Sequence, residues 1–123
     1  MRTIKNTNSS ISLIDNDIFY VIYDKDTIIS VADFQETEQV YHEVSQGKKL
    51  KFLVEFPKFV TATAEARKWA ETNQVEAISE AIVFNNSGQR MLIRFYLLLR
   101  IHEHPIKIFT NKETALEWLR IEA

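Results

Sequence analysis

The sequence contains no cysteine, only two glycines and only two prolines. Without cysteine, neither a disulfide framework nor a cysteine-ligated metal site can form, and we therefore expect a cytoplasmic protein. Two isolated glycines supply neither a glycine-rich phosphate loop nor a nucleophile elbow. No Ser–His–Asp arrangement can be assembled, so we expect a protein that is not an enzyme and that uses no cofactor or metal.

Long apolar runs and an excess of basic charge are also missing. The first ten residues are polar and lack the apolar segment of a signal peptide. The longest apolar stretch contains arginine and is far shorter than the ~20 residues that a membrane-spanning helix needs. The formal net charge is −2, whereas general nucleic-acid binders carry a basic stripe. We therefore expect neither a membrane segment nor a nucleic-acid partner.

What the sequence does contain is a regular alternation of strand and helix patterns. Its 123 residues are enough for one domain. The order β-β-α-β-α-β-α-β-α predicts a single α/β domain with a mixed, mostly parallel sheet of about five strands and about four helices. We assign residues 1–9 to a flexible tail and residues 10–123 to the domain. The apolar run at residues 52–56 should be the central strand, with parallel strands on both sides.

Several turn and cap signals sharpen this order. Asp15, Asn16 and Asp17 predict a tight hairpin, because Asp and Asn tolerate positive φ angles. Two pairs have capping-box spacing at a helix start: Ser30 with Asp33, and Thr110 with Glu113. Gly47 is suited to end the first helix.

Three segments carry a family resemblance. They are Gly-Lys-Lys at 47–49 leading to Leu-Val at 53–54, Ala-Glu-Ala-Arg at 64–67, and Pro-Ile-Lys-Ile-Phe-Thr at 105–110 followed by Ala-Leu-Glu-Trp-Leu at 115–119. On these, residues 10–120 resemble the STAS-like family, small α/β domains typified by bacterial anti-sigma-factor antagonists. They also resemble small bacterial proteins grouped with that family and with the CRAL-TRIO lipid-transfer fold. The resemblance implies a non-catalytic regulatory or protein-interaction domain, or alternatively a domain that binds a small apolar or lipid ligand.

The same resemblance draws attention to two threonines. In anti-sigma-factor antagonists a serine at the start of the helix after the central strand is phosphorylated, which switches partner binding. The corresponding segment here has no Asp-Ser pair, and only Thr61 and Thr63 offer hydroxyl groups. One of them can cap the helix. Alternatively, either is a candidate phosphoacceptor, whose charge would lie at a helix N-terminus. We expect both to be unmodified.

Two further places in the sequence carry polar residues that could belong to a metal or ligand site. In the segment His102-Glu103-His104 the two imidazoles could bind a metal, but no third ligand is evident, so we expect a solvated loop. Glu55 ends the predicted central strand, where α/β folds place ligands. We expect a carboxylate that faces solvent.

The predicted helix over residues 89–101 is apolar on almost all sides. Its core face is set by Met91, Phe95 and Leu99. The candidate interface residues on the other side are Arg90, Ile93, Arg94, Leu97 and Arg100. Either a neighbouring helix covers this side, or it is a partner surface. A domain of this size has few layers to cover this side, so we expect a homodimer in which a second copy covers it. A two-fold contact would bring the same helix of each subunit together.

Overall fold

The computed structural model describes residues 3–73, 76–84 and 104–121 of the chain. The strands in these ranges are β1 (Ile4–Lys5), β2 (Ser9–Ile14), β3 (Ile18–Tyr23), β4 (Ile28–Ile29), β5 (Leu50–Phe56), β6 (Thr61–Ala62), β7 (Ala77–Phe84) and β8 (Ile106–Phe109). The helices there are α1 (Val31–Ser45), α2 (Ala64–Thr72) and α3 (Lys112–Ile121). The predicted helix over residues 89–101 lies outside the described residues.

Most strands form one mixed sheet in the order β1-β2-β3-β5-β7-β8. The first two strand pairs are antiparallel, and the pairs from β3 to β8 are parallel. This confirms a single α/β domain with a mostly parallel sheet. It also confirms β5 as a strand with parallel neighbours on both sides, and Leu53 at its centre is fully buried. The strand number exceeds the prediction because three strands of two residues each are too short to give a periodic signal.

The sheet begins earlier in the chain than predicted. Ile4–Lys5 lies within the segment assigned to a flexible tail, yet it pairs with β2, with Ile4 opposite Ile11. The pairing follows a turn in which the Asn6 N–H donates to the Ser9 carbonyl at 2.8 Å. Ile4 is partly buried against the main core, and this apolar contact favours the early start.

The predicted hairpin between β2 and β3 is confirmed. Asp15 and Asn16 have φ angles of 54° and 63°, and the Asp17 N–H donates to the Ile14 carbonyl at 3.2 Å. Two successive positive φ angles match the right-handed twist of the flanking strands, which is why Asp and Asn occupy these positions.

The sheet has a core on each face. Helix α1 covers one face, where Phe19, Phe52 and Tyr41 meet in an aromatic cluster. Helix α2 lies beside α1, and the Trp69 ring stacks on Phe34. Helix α3 covers the other face through a smaller cluster. That cluster consists of Ile18, Tyr20, Leu53, Ala81, Val83, Ala115 and Leu119.

The capping box that starts α1 is confirmed. The Asp33 N–H donates to Ser30 Oγ, and the Ser30 N–H donates to Asp33 Oδ2 at 2.9 Å. At the other end, Gln46 is the C-cap and Gly47 follows it as the C′ residue, and both have positive φ angles. This confirms the helix end that Gly47 predicted.

The capping box predicted for Thr110 and Glu113 is wrong. Helix α3 begins at Lys112, and the Thr114 N–H donates to Asn111 Oδ1 at 2.9 Å. Asparagine is among the best N-cap residues, so its side chain competes successfully for this position. The helix start consequently lies one residue later than the spacing of Thr and Glu suggested.

We expect Asn111→Ala to lower the free energy of unfolding by about 1 kcal/mol, because an N–H in the first turn of α3 loses its acceptor. Thr110→Ala, one residue away, should change it by less than about 0.5 kcal/mol. Urea denaturation of both variants measures the difference. A larger loss for Thr110→Ala would place the cap where the sequence pattern put it.

Candidate functional site

The candidate site lies at the carboxyl edge of the sheet, where the parallel strands end and α/β folds bind ligands. Two loops leave β3 and β5 there, and each contributes a strand to the small sheet of β4 and β6. The Thr61 N–H donates to the Thr27 carbonyl, and the Thr63 N–H donates to the Ile29 carbonyl, both at 3.0 Å. The two loops and the first turns of α1 and α2 therefore form one connected surface.

Two large apolar side chains are exposed on this surface. Ile28 is 66% exposed and Phe59 is 68% exposed. Ile28 pairs with Thr61, which follows Phe59 by two residues, so both apolar side chains belong to the same small region. Their neighbours Ile29 and Val60 are buried, which anchors both loops to the core.

Phe59 also has an unfavourable backbone conformation. Its φ angle is +64°, a region that a bulky side chain rarely adopts. The turn around it is closed by the Val60 N–H, which donates to the Pro57 carbonyl at 3.3 Å. Glycine or asparagine is the usual residue at such a position. The sequence pattern alone gave Phe59 no role, since only the backbone angle distinguishes it from any loop residue.

Exposed charged residues of both signs occur on the same two loops and in the first turn of α2. Lys25, Asp26 and Lys58 are exposed, and Glu65 is exposed in the first turn of α2. We call Lys25, Ile28, Lys58 and Phe59 the edge patch.

The two candidate phosphoacceptors lie next to the edge patch and differ in their surroundings. Thr63 is the N-cap of α2, because its Oγ1 accepts a hydrogen bond from the Ala66 N–H at 3.0 Å. This confirms that one of the two threonines caps the helix. Thr61 is exposed in β6. The expectation that neither is phosphorylated stays a prediction.

Glu55 has a specific partner, which corrects the expectation of a carboxylate facing solvent. The Tyr20 hydroxyl donates to Glu55 Oε1 at 2.6 Å. The Lys112 ammonium group lies 4.4 Å from the centre of the Tyr20 ring, so the first turn of α3 packs on the same group. Burial raises the pKa of Tyr20, and the hydrogen bond to Glu55 raises it further. Tyr20 is therefore a neutral hydrogen-bond donor that fixes the end of β5 against β3 and α3.

We expect Tyr20→Phe to lower the free energy of unfolding by about 1–2 kcal/mol at pH 8, because Glu55 loses a donor. The pKa of Tyr20 is raised in the folded state, so the stabilisation is present below the ordinary tyrosine pKa near 10 and is lost as the pH rises above it. Above pH 10, the variant should lose stability less steeply than the unmodified protein, by about 1.4 kcal/mol per pH unit. Urea denaturation at several pH values between 8 and 11 gives the change in the free energy of unfolding with pH for each protein. Equal slopes for the variant and the unmodified protein would contradict the prediction.

A second polar group lies at the opposite edge of the sheet. His104 Nε2 and Glu80 Oε1 are 3.1 Å apart, and their side chains are only 7% and 8% exposed. The expectation of a solvated loop is therefore wrong for His104, because the residues that lead into β8 hold this histidine against Glu80 of β7. His102 and Glu103 lie outside the described residues. Among residues 3–73, 76–84 and 104–121, no three or more His, Cys, Asp or Glu side chains lie close enough together to hold a metal ion.

The candidate interface residues of the sequence analysis cannot be placed on this fold. Arg90, Ile93, Arg94, Leu97 and Arg100 all lie outside the described residues. The homodimer predicted from them stays a prediction. Within the described ranges, no helix is long and apolar enough to cross a membrane.

The fold and its carboxyl edge define a small α/β domain with a mixed, mostly parallel sheet. The chain belongs to the family described as Domain of unknown function (DUF7793), whose model matches residues 12–121. A search of curated proteins finds no match. Among solved structures, the chain is similar to a protein with unknown function from Arthrobacter sp. FB24, with 20% identity over 94% of this chain and 95% of that chain and a TM-score of 0.36.

Proposed function

We propose that this protein is a non-catalytic interaction domain that binds a protein partner through the edge patch. One observation carries the proposal: Ile28 and Phe59 are both largely exposed on two loops that are joined by backbone hydrogen bonds. Single exposed apolar residues are common, whereas adjacent ones with a polar surround are typical of interfaces. The resemblance to STAS-like regulatory domains supports the same class of function.

The rigidity of the patch supports this proposal as well. The small sheet of β4 and β6 fixes the two loops relative to each other, and Ile29 and Val60 anchor them in the core. A surface that is already ordered loses little conformational entropy when a partner binds. The edge patch is therefore suited to recognition without a large rearrangement.

Site-specific photo-crosslinking in the native cell tests this function. Benzoylphenylalanine is placed at Lys58 in one variant and at Lys68, an exposed position on α2, in a control variant. We expect a discrete adduct with one protein from position 58 and none of that mass from position 68. Equal adduct patterns from both positions, or none from position 58, would contradict the proposal.

Two other predictions from the sequence, self-association and binding of a small ligand, have tests of their own. Self-association through residues 89–101 would appear as a dimer mass in light scattering after size exclusion. The alternative function, binding of a small apolar or lipid ligand, would appear as a co-purifying molecule in native mass spectrometry. A self-adduct from position 58 would identify the partner of the edge patch as a second copy of this chain.

A further inference from the structure

We infer that Phe59 is the anchor of this interaction, a preformed aromatic side chain that inserts into an apolar pocket of the partner protein. The inference rests on the proposed function and goes beyond it, because it assigns one residue, one mode of contact and one kind of partner surface. Its starting point is the conjunction of two unfavourable features at Phe59: a φ angle of +64° and 68% exposure of the side chain.

Both features reduce the stability of the free protein. A left-handed backbone costs a residue with a bulky side chain more than it costs asparagine or glycine. An exposed phenyl ring also lacks the stabilisation that burial in the core gives to an apolar side chain. Strained residues of this kind cluster at binding sites, where the surrounding structure holds them in place. Here the hydrogen bond from the Val60 N–H to the Pro57 carbonyl and the burial of Val60 hold the turn.

The shape of the site indicates a pocket on the partner. Phe59 is exposed in a turn, and Ile28 is exposed on the neighbouring loop, where it pairs with Thr61. An aromatic side chain with two rotatable bonds loses little entropy on binding, so aromatic residues often dominate the energy of an interface when they fill a pocket. Ile28 would then lie at the border of the contact and contribute less.

The surrounding charges favour a protein over a lipid surface. Lys25 and Lys58 are balanced by Asp26 and by Glu65 in the first turn of α2. A bilayer of anionic lipids attracts clusters of positive charge, whereas a protein interface has a polar rim of both signs. The edge patch therefore matches a protein partner with an apolar pocket and a mixed polar rim.

The test uses the photo-crosslinker at position 58 and changes the residues around it. We expect Phe59→Asn to reduce the yield of the specific adduct at least tenfold, and Ile28→Asn to reduce it less. Ile121→Asn is the matched control, because Ile121 is 81% exposed at the end of α3, and it should leave the yield unchanged. In the purified protein, Phe59→Asn should raise the Tm by about 3 °C, since asparagine tolerates the backbone angle.

The possible results test the assignment of the anchor and the proposed function separately. If Ile28→Asn abolishes the adduct and Phe59→Asn does not, the anchor is assigned wrongly while the proposed function stands. If neither substitution affects it, the edge patch is not the interface and the proposed function fails. A Tm for Phe59→Asn that is equal or lower would contradict the strained anchor. Sedimentation with vesicles containing phosphatidylglycerol that depends on Phe59 would overturn the choice of a protein partner.

Discussion

Phe19→Ala is expected to lower the free energy of unfolding by about 4 kcal/mol. Phe19 is fully buried in β3, at the centre of the face that α1 covers. Its ring lies 5.0 Å from Tyr41 in an edge-on arrangement and 5.3 Å from Phe52. Truncation removes apolar area from the core and leaves a cavity that rigid strands on both sides of β3 cannot close.

Phe59→Ala is the matched control for this prediction, because it deletes the same atoms at an exposed position. It should change the free energy of unfolding by less than about 0.5 kcal/mol, or raise it slightly. Urea denaturation followed by circular dichroism measures both variants. A similar loss at the two positions would mean that Phe59 is packed in solution and that the edge patch is not exposed.

The succession of strands and helices along the chain could largely be predicted from sequence, because each element depends on local periodicity. The run at residues 52–56 is apolar at every position except Glu55, as expected for a strand covered on both faces. The structure accordingly places Phe52 and Val54 in the cluster on one face of the sheet and Leu53, fully buried, in the cluster on the other face. Asp15 and Asn16 likewise predicted a turn through their tolerance of positive φ angles. In both cases the physical cause lies within a few residues of the chain.

The helix starts show where local patterns become ambiguous. Ser30 and Asp33 form the predicted box, since no better cap residue lies beside them. At the start of α3, Thr110 and Asn111 are adjacent candidates, and the spacing of Glu113 pointed to the wrong one. Asparagine is a slightly better N-cap residue than threonine, and the Asn111 side chain accepts the hydrogen bond from the Thr114 N–H. Where two cap residues are adjacent, spacing to a downstream acidic residue therefore does not identify the helix start.

The candidate site depends on information that the sequence does not display. The positive φ angle of Phe59 occurs in a turn that leads from β5 to buried Val60 and to the pairing of β6 with β4. A phenylalanine at position 59 does not indicate a positive φ angle, because glycine or asparagine is the usual residue at such a position. Glu55 and Tyr20 are 35 positions apart in the chain and meet only because β3 and β5 are neighbours. Such pairs follow from topology, which the periodicity of single segments does not fix.

The pair of Glu80 and His104 is the strongest case of this kind and leads to the last prediction. The two side chains are 24 positions apart and join β7 to the residue that precedes Pro105 and β8. The Glu80 N–H also donates to the Pro105 carbonyl at 2.9 Å. His104→Leu should lower the free energy of unfolding by about 3 kcal/mol, because Glu80 then remains buried with one polar partner fewer. Glu80 has further interactions, so the loss should not unfold the protein.

A double-mutant cycle separates the contact from the packing around it. Glu80→Leu combined with His104→Leu should cost less than the sum of the single changes, with a coupling energy of about 2 kcal/mol. The chain offers a matched control in Glu38 and His42, a second Glu–His pair at 3.5 Å whose histidine side chain is 65% exposed. That pair should show a coupling energy below about 0.5 kcal/mol, since solvent screens it. Equal coupling energies for the two pairs would show that burial of Glu80 and His104 adds nothing to their interaction.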